Sequence, residues 1–178
     1  MKSICLPVIS LALLTLSSNA HSLSLLDSRQ IQLSGGQPVT EQNVDVSTFE
    51  IEYQQPLWMI PRYQVGVDWA FGGGTLDTEV ENAPMVFSGL GLRWEPWQYL
   101  MLRADGKVRY LSEHRFQAEQ GRAKDYGGRM QYSYSFSMLL NVQKDLQFGY
   151  RYQHMSNGGM YEVNPALNTH NLVFGYRF

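Results

Sequence analysis

The sequence predicts an all-β fold, an eight-stranded antiparallel transmembrane β-barrel, and three observations carry that prediction. Segment after segment alternates apolar and polar residues with period two, the pattern of a strand with two different faces. The apolar faces are large and often aromatic, while the opposite faces mix charges of both signs with Ser, Gln and Gly. Short and long connections take turns along the chain, as periplasmic turns and external loops do in outer-membrane barrels.

The first twenty residues stand apart. Lys2 precedes an apolar run from Ile4 to Leu16, and Ser18 and Ala20 fit a small-x-small cleavage site. A run of about 13 residues falls short of the roughly 20 that a membrane-spanning helix needs. Residues 1–20 are therefore expected to be a secretory signal peptide, and residues 21–178 a single barrel domain beginning near His21. Cys5, the only cysteine, lies inside that signal, so the exported chain carries neither a disulfide nor thiolate chemistry. The net charge of −2 is scattered, which speaks against nucleic acid as a partner and against a polybasic membrane tether.

Eight strands are expected near 28–34, 43–53, 62–72, 84–94, 98–111, 128–140, 145–157 and 168–178. In the third, Tyr63, Val65, Val67, Trp69 and Phe71 oppose Arg62, Gln64, Gly66, Asp68 and Ala70. In the fourth, Val86, Leu90, Leu92 and Trp94 oppose Gly89, Gly91 and Arg93. The fifth sets Leu100, Leu102, Ala104, Gly106, Val108 and Tyr110 against Arg103, Asp105, Lys107 and Arg109. The sixth sets Met130, Tyr132, Tyr134, Phe136, Met138 and Leu140 against Arg129, Gln131, Ser133, Ser135 and Ser137. Lipid outside and a small lumen packed with polar side chains require this inside-out pattern. A soluble sandwich or lipocalin-like barrel would have to turn every aromatic face inward and leave the Arg103 to Arg109 row outside. Glu95–Trp97 and Gln143–Asp145 read as tight turns, and 73–83, 112–127 and 158–167 as long loops. The stretch 54–61, QQPLWMIP, reads as a connection longer than a tight turn, with Trp58 in an interfacial girdle beside Trp94 and Trp97. The closing Tyr176-Arg177-Phe178 resembles the assembly signal of bacterial outer-membrane proteins.

The stretch HMSNGG, at the end of the seventh predicted strand, carries the chemistry. Alternation gives Phe148, Tyr150 and Tyr152 to lipid and Gly149, Arg151 and Gln153 to the lumen, which turns His154 and Ser156 toward lipid. With a periplasmic N-terminus the odd strands run outward, so this pair sits near the external rim, with Asn168 and His170 facing the same way on the last strand. Uncompensated polar groups facing lipid are costly. Positions i and i+2 on one face lie roughly 6 to 7 Å apart, near enough for an imidazole to reach a serine oxygen. His154 would be the general base and Ser156 the nucleophile on an ester carbonyl. Asn157 and the backbone N–H groups of Gly158 and Gly159 would receive the oxyanion. The bland reading is a polar strand end before a turn.

His21, His114, His154 and His170 show no ligand spacing, so neither a metal nor another cofactor is expected. Arg115, Arg122 and Lys124 in the loop 112–127 suit lipid phosphates, but Glu113, Glu119 and Asp125 among them suit an ordinary solvated loop equally well.

HMSNGG, the following NPALN and a last strand ending in an aromatic resemble the outer-membrane lipid A 3-O-deacylases of the PagL type. That resemblance implies an eight-stranded barrel in the Gram-negative outer membrane whose outward Ser-His dyad hydrolyses the 3-hydroxyacyl ester at position 3 of lipid A. It makes lipid A or lipopolysaccharide the substrate, leaves a homodimer open, and maps His154 to the base, Ser156 to the nucleophile and Asn157 to the oxyanion contributor. One member departs from the pattern. The family carries an acidic residue near the start of the last strand to orient the histidine, and Asn168 stands there. In serine-protease triads the same exchange costs roughly 10⁴ in turnover, although an amide oxygen on the imidazole N–H can still fix the tautomer. Glu162, in the preceding loop, is the other candidate orienter. The competing reading is a non-catalytic barrel, either structural or adhesive, or a deacylase relative whose activity has faded with its acid.

Overall fold

In hydrocarbon every backbone N–H and C=O must be paired within the protein, and a sheet closed on itself leaves no edge. The computed structural model, which describes residues 28–118 and 121–178, contains such a sheet. Its strands are β1 (Gln30–Pro38), β2 (Val46–Ile60), β3 (Val65–Thr78), β4 (Asn82–Trp97), β5 (Leu100–Leu111), β8 (Met130–Asn141), β9 (Leu146–Ser156) and β10 (Leu167–Arg177). They form a closed barrel in the order β1-β10-β9-β8-β5-β4-β3-β2, every pairing antiparallel. The loop after β5 holds a small hairpin of its own, β6 (Arg115–Gln117) and β7 (Ala123–Asp125). The expected signal peptide lies outside the described residues.

The wall alternates as the pattern requires. Arg93, Arg103, Lys107, Arg109, Arg151 and Arg177 are buried in the lumen with Glu50, Glu52, Asp68, Glu95 and Asp105. Arg109 reaches Glu50 at 2.7 Å, Arg103 reaches Asp105 at 2.7 Å and also binds Asp68, Lys107 pairs with Glu52, and Arg177 reaches Glu95 at 3.0 Å. Outside, Trp69, Leu90, Tyr134, Phe136, Phe148 and Leu172 are among the large side chains left exposed. At the outer end the polar lumen gives way to an apolar plug of Val44, Val46, Leu76, Met85, Leu111, Phe116, Tyr126, Met155 and Leu167. Phe116 and Tyr126, on and just after the small hairpin, close over it edge to face at 6.1 Å.

Three expected connections are strand instead, and one of them, Glu95–Trp97, closes β4 past an irregularity between Trp94 and Trp97, which leaves the tight turn to Gln98 and Tyr99. Residues 54–60 continue β2 against β3 as far as Ile60↔Val65, with a bulge between Pro56 and Trp58 that lets the ladder pass a proline lacking an N–H. The turn itself is the short 3-10 helix Pro61–Tyr63, closed by Gln64 in the left-handed region at φ 54°. Trp58 is nonetheless exposed on the outer surface, as are Trp94 and Trp97. Residues 73–78 likewise extend β3, so the expected loop 73–83 shrinks to a turn at 79–81. The glycines there do not break the strand. A Cβ on Gly72 or Gly74 would lie 2.1 Å from the Ile51 carbonyl oxygen or 2.0 Å from that of Phe49, so close approach of the neighbouring strand calls for glycine.

Removing one partner of a buried ion pair leaves the other uncompensated, which costs about 3–5 kcal/mol. Arg109→Met is therefore expected to lower the urea midpoint of the detergent-folded barrel markedly, read by tryptophan fluorescence and by loss of heat-modifiable gel mobility. Exposed Arg62→Met serves as the control, with a change within about 0.5 kcal/mol.

Candidate active site

The end of β9 and the start of β10 build the site. Antiparallel register sets His154 directly opposite Asn168 on one side and opposite Tyr134 of β8 on the other, with Ser156 opposite Tyr132. Alternation buries Arg151, Gln153, Met155 and Asn157 on the inner side. His154 and Ser156 consequently face outward, each half-buried.

The imidazole is held at three points. Its Nε2 lies 3.1 Å from Ser156 Oγ, its Nδ1 lies 2.8 Å from Asn168 Oδ1, and the Tyr134 ring stacks on it at 4.6 Å with an interplanar angle of 20°. A carbonyl oxygen only accepts, so Nδ1 carries the proton and donates it to Asn168. Nε2 then presents its lone pair to the Ser156 hydroxyl, which donates. This is the tautomer a general base toward Ser156 requires. What Asn168 does not supply is a negative charge.

Asn157 has a different position from the one its sequence neighbourhood suggested. Its side chain points inward, where Nδ2 donates to the Tyr126 and Val163 carbonyls at 3.2 and 2.6 Å and Oδ1 accepts the Gly159 N–H at 2.9 Å. Its own backbone N–H donates to Asn164 Oδ1 at 3.1 Å. Asn157 thus pins the loop 157–166 to the apolar plug, and its carboxamide and the Gly159 N–H are already engaged. Of the expected oxyanion donors, the Gly158 N–H is the one without a hydrogen-bond partner among the described residues. Gly158 and Gly159 have φ of 66° and 82°, a backbone that favours glycine.

Glu162 is exposed in the loop. His154 Nδ1 bonds Asn168, not this loop carboxylate. The external cations are mostly matched with acids: Arg115 with Asp125 at 2.8 Å and Arg122 with Glu79 at 2.9 Å, while Lys124 lies over the Tyr126 ring at 5.2 Å. Partial burial would raise the Asp125 carboxyl, but the Gly127 N–H, His114 and Arg115 outweigh it and hold the group below the usual carboxylate range. His170 faces outward below Asn168, on the rung of Tyr152. Among the described residues no group of three or more His, Cys, Asp or Glu could hold a metal ion.

Tyr134 and Asn164 are the site residues that sequence reasoning missed. Strand parity already turns Tyr134 toward lipid, but only the β8–β9 register puts it against His154. Asn164 was visible beside Pro165 as a loop residue, with nothing in the sequence to tie it to the Asn157 N–H.

Comparison with known proteins agrees with this architecture. Residues 44–177 match the family described as Lipid A 3-O-deacylase (PagL). Among solved structures, the crystal structure of the outer membrane enzyme PagL superposes with a TM-score of 0.60 at 13% identity, covering 83% of this chain and 98% of that one. Outer membrane protein H from P. aeruginosa gives 0.54 at 11% identity, covering 85% and 99%, and the Yersinia pestis outer membrane protein Ail gives 0.53 at 13% identity with the same coverage. At these identities the superpositions speak for the fold alone. No curated protein sequence matches the chain. A family match over three quarters of its length, on a closed eight-stranded barrel, places the protein in the outer membrane: the chain belongs to the lipid A 3-O-deacylase (PagL) family.

Proposed function

We propose that this protein is a serine esterase that removes the 3-O-linked hydroxyacyl chain of lipid A from within the outer leaflet. The observation that carries the reading is a lipid-facing histidine whose two ring nitrogens are both engaged, one on a serine hydroxyl and the other on an amide oxygen. A polar trio of this kind is costly at a surface that meets only hydrocarbon. It has a use where an ester of a membrane lipid is presented to it.

In the proposed reaction Ser156 Oγ attacks the ester carbonyl while its proton passes to His154 Nε2. The oxyanion that forms accepts a hydrogen bond from the Gly158 N–H. Collapse breaks the bond between the carbonyl carbon and the sugar oxygen, and His154 returns its proton to that oxygen. Water, deprotonated by the same nitrogen, then attacks the acyl-serine, releasing a free 3-hydroxy fatty acid and restoring the serine. Throughout, Asn168 holds the tautomer and Tyr134 holds the ring plane. The growing imidazolium has only an amide dipole to lean on, which makes Asn168 the member that limits the rate.

Incubating the detergent-folded protein with lipopolysaccharide and weighing the lipid A by mass spectrometry tests the reading. Loss of one hydroxyacyl chain is expected from wild type and no loss from Ser156→Ala; unchanged lipid A from wild type would sink the proposal. Asn168→Asp keeps an oxygen of the same reach and adds the missing charge, so kcat is expected to rise at least tenfold, a modest part of the roughly 10⁴ seen for the reverse exchange in serine proteases. An unchanged or lower kcat in a correctly folded Asn168→Asp protein would remove Asn168 from the orienting role.

A further inference from the structure

One hollow of the outer surface lies outside the trio and sets polar side chains among apolar ones. Between β10 and β2 a notch of about 490 Å³ opens over β1, lined by Gly35, Gln37, Ser47, Tyr150, His170 and Leu172. Gly35 faces outward between Leu172 and Phe49, and a Cβ there would meet nothing within 4 Å, so the notch exists because that position lacks a side chain. Register sets Gln37 against His170, and Ser47 follows on the outward face of β2. His170 is fixed in place: the Tyr150 hydroxyl bonds its Nδ1, and Tyr152 meets its ring edge-on at 6.3 Å. Among the described residues, its Nε2 and the side chains of Gln37 and Ser47 have no hydrogen-bond partner. Three polar side chains thus surround a hollow on a surface that meets lipid, two residues, or about 7 Å, below Asn168 on β10.

Polar groups at such a depth need partners. Plain hydrocarbon tails offer none, whereas an acyl chain hydroxylated near its carbonyl offers a donor and an acceptor a short way below the headgroup. We propose that the notch over β1 binds a second, uncleaved hydroxyacyl chain of the substrate, with the chain's hydroxyl on His170 Nε2 and Gln37 and its methylenes over Gly35 against Leu172. This inference rests on the deacylase reading and extends it. The trio at the β9 end takes the ester to be cut, and the notch on the β1 side of β10 takes its neighbour on the same molecule, so that both chains together orient the ester toward Ser156. Lipids whose remaining chains lack the hydroxyl are discriminated against because the polar groups of the notch are then left unpaired.

Binding to the full-length Ser156→Ala protein, folded in detergent, tests the notch apart from turnover. The probes are two synthetic diacylated glucosamine 1-phosphates that share the 3-O-hydroxyacyl ester and differ only in whether the N-linked chain carries a 3-hydroxyl. The hydroxylated probe is expected to bind about five- to tenfold more tightly, the size of a hydrogen bond to a polar group otherwise unpaired. On the same background His170→Leu is expected to abolish that preference by removing the partner, and Gly35→Leu by filling the hollow, with heat-modifiable mobility showing that each variant folds. Equal binding of the two probes before these substitutions, or a preference surviving in both variants, overturns the notch. Failure of the wild-type protein to cleave either probe overturns the deacylase reading instead, and the binding comparison distinguishes the two failures.

Discussion

Every backbone polar group in the membrane-spanning wall has to be satisfied by the protein, and the closed antiparallel sheet that meets this demand dictates the rest of the molecule. Closure imposes a strict alternation on each strand. In this chain the alternation sends six cations and five carboxylates into a lumen where they neutralise one another. Such a network is weak evidence of stability relative to an apolar core, but it makes a one-residue slip of any strand prohibitive, because a slip would turn charges into lipid. The direction of every outward side chain, the candidate trio included, is tied to that register.

The strands were legible because the same alternation is written in the sequence. The Arg103, Asp105, Lys107 and Arg109 row, read as lumenal, is buried as a row, and Leu102, Val108 and Tyr110 face out. Strand ends were less legible, for physical reasons. Pro56 and the run Gly72-Gly73-Gly74 look like breakers when local preference alone is considered. In the folded chain Pro56 sits at a bulge, and Gly72 and Gly74 are the residues that let β2 approach β3 closely. Tertiary pairing overrides local propensity at both places.

The site divides along similar lines. That His154 and Ser156 share an outward face follows from counting in twos along β9. That Asn168 Oδ1 meets His154 Nδ1 depends on the pairing of β9 with β10 across a loop of irregular length, although position near the start of the last strand pointed the same way. Asn157 is where counting by neighbourhood failed. It follows Ser156 directly, and for that reason it faces inward, where its carboxamide ties the loop to Tyr126 and Val163. Met155 does the same with apolar contacts, so the residues interleaved with the pair anchor its backbone in the plug.

By itself the sequence determined the all-β class, the number of wall strands, the two faces of the third to the eighth and the outward direction of the His154–Ser156 pair, because all of these are consequences of a period-two pattern that a single chain displays. Tertiary structure alone decided which side chains meet across strands: Tyr134 stacked on the imidazole, Asn168 rather than Glu162 on Nδ1, Asn157 on the loop rather than toward the serine, and His170 beside an open notch at Gly35. Those contacts are set by register and loop packing between segments distant in sequence, and no local pattern encodes them.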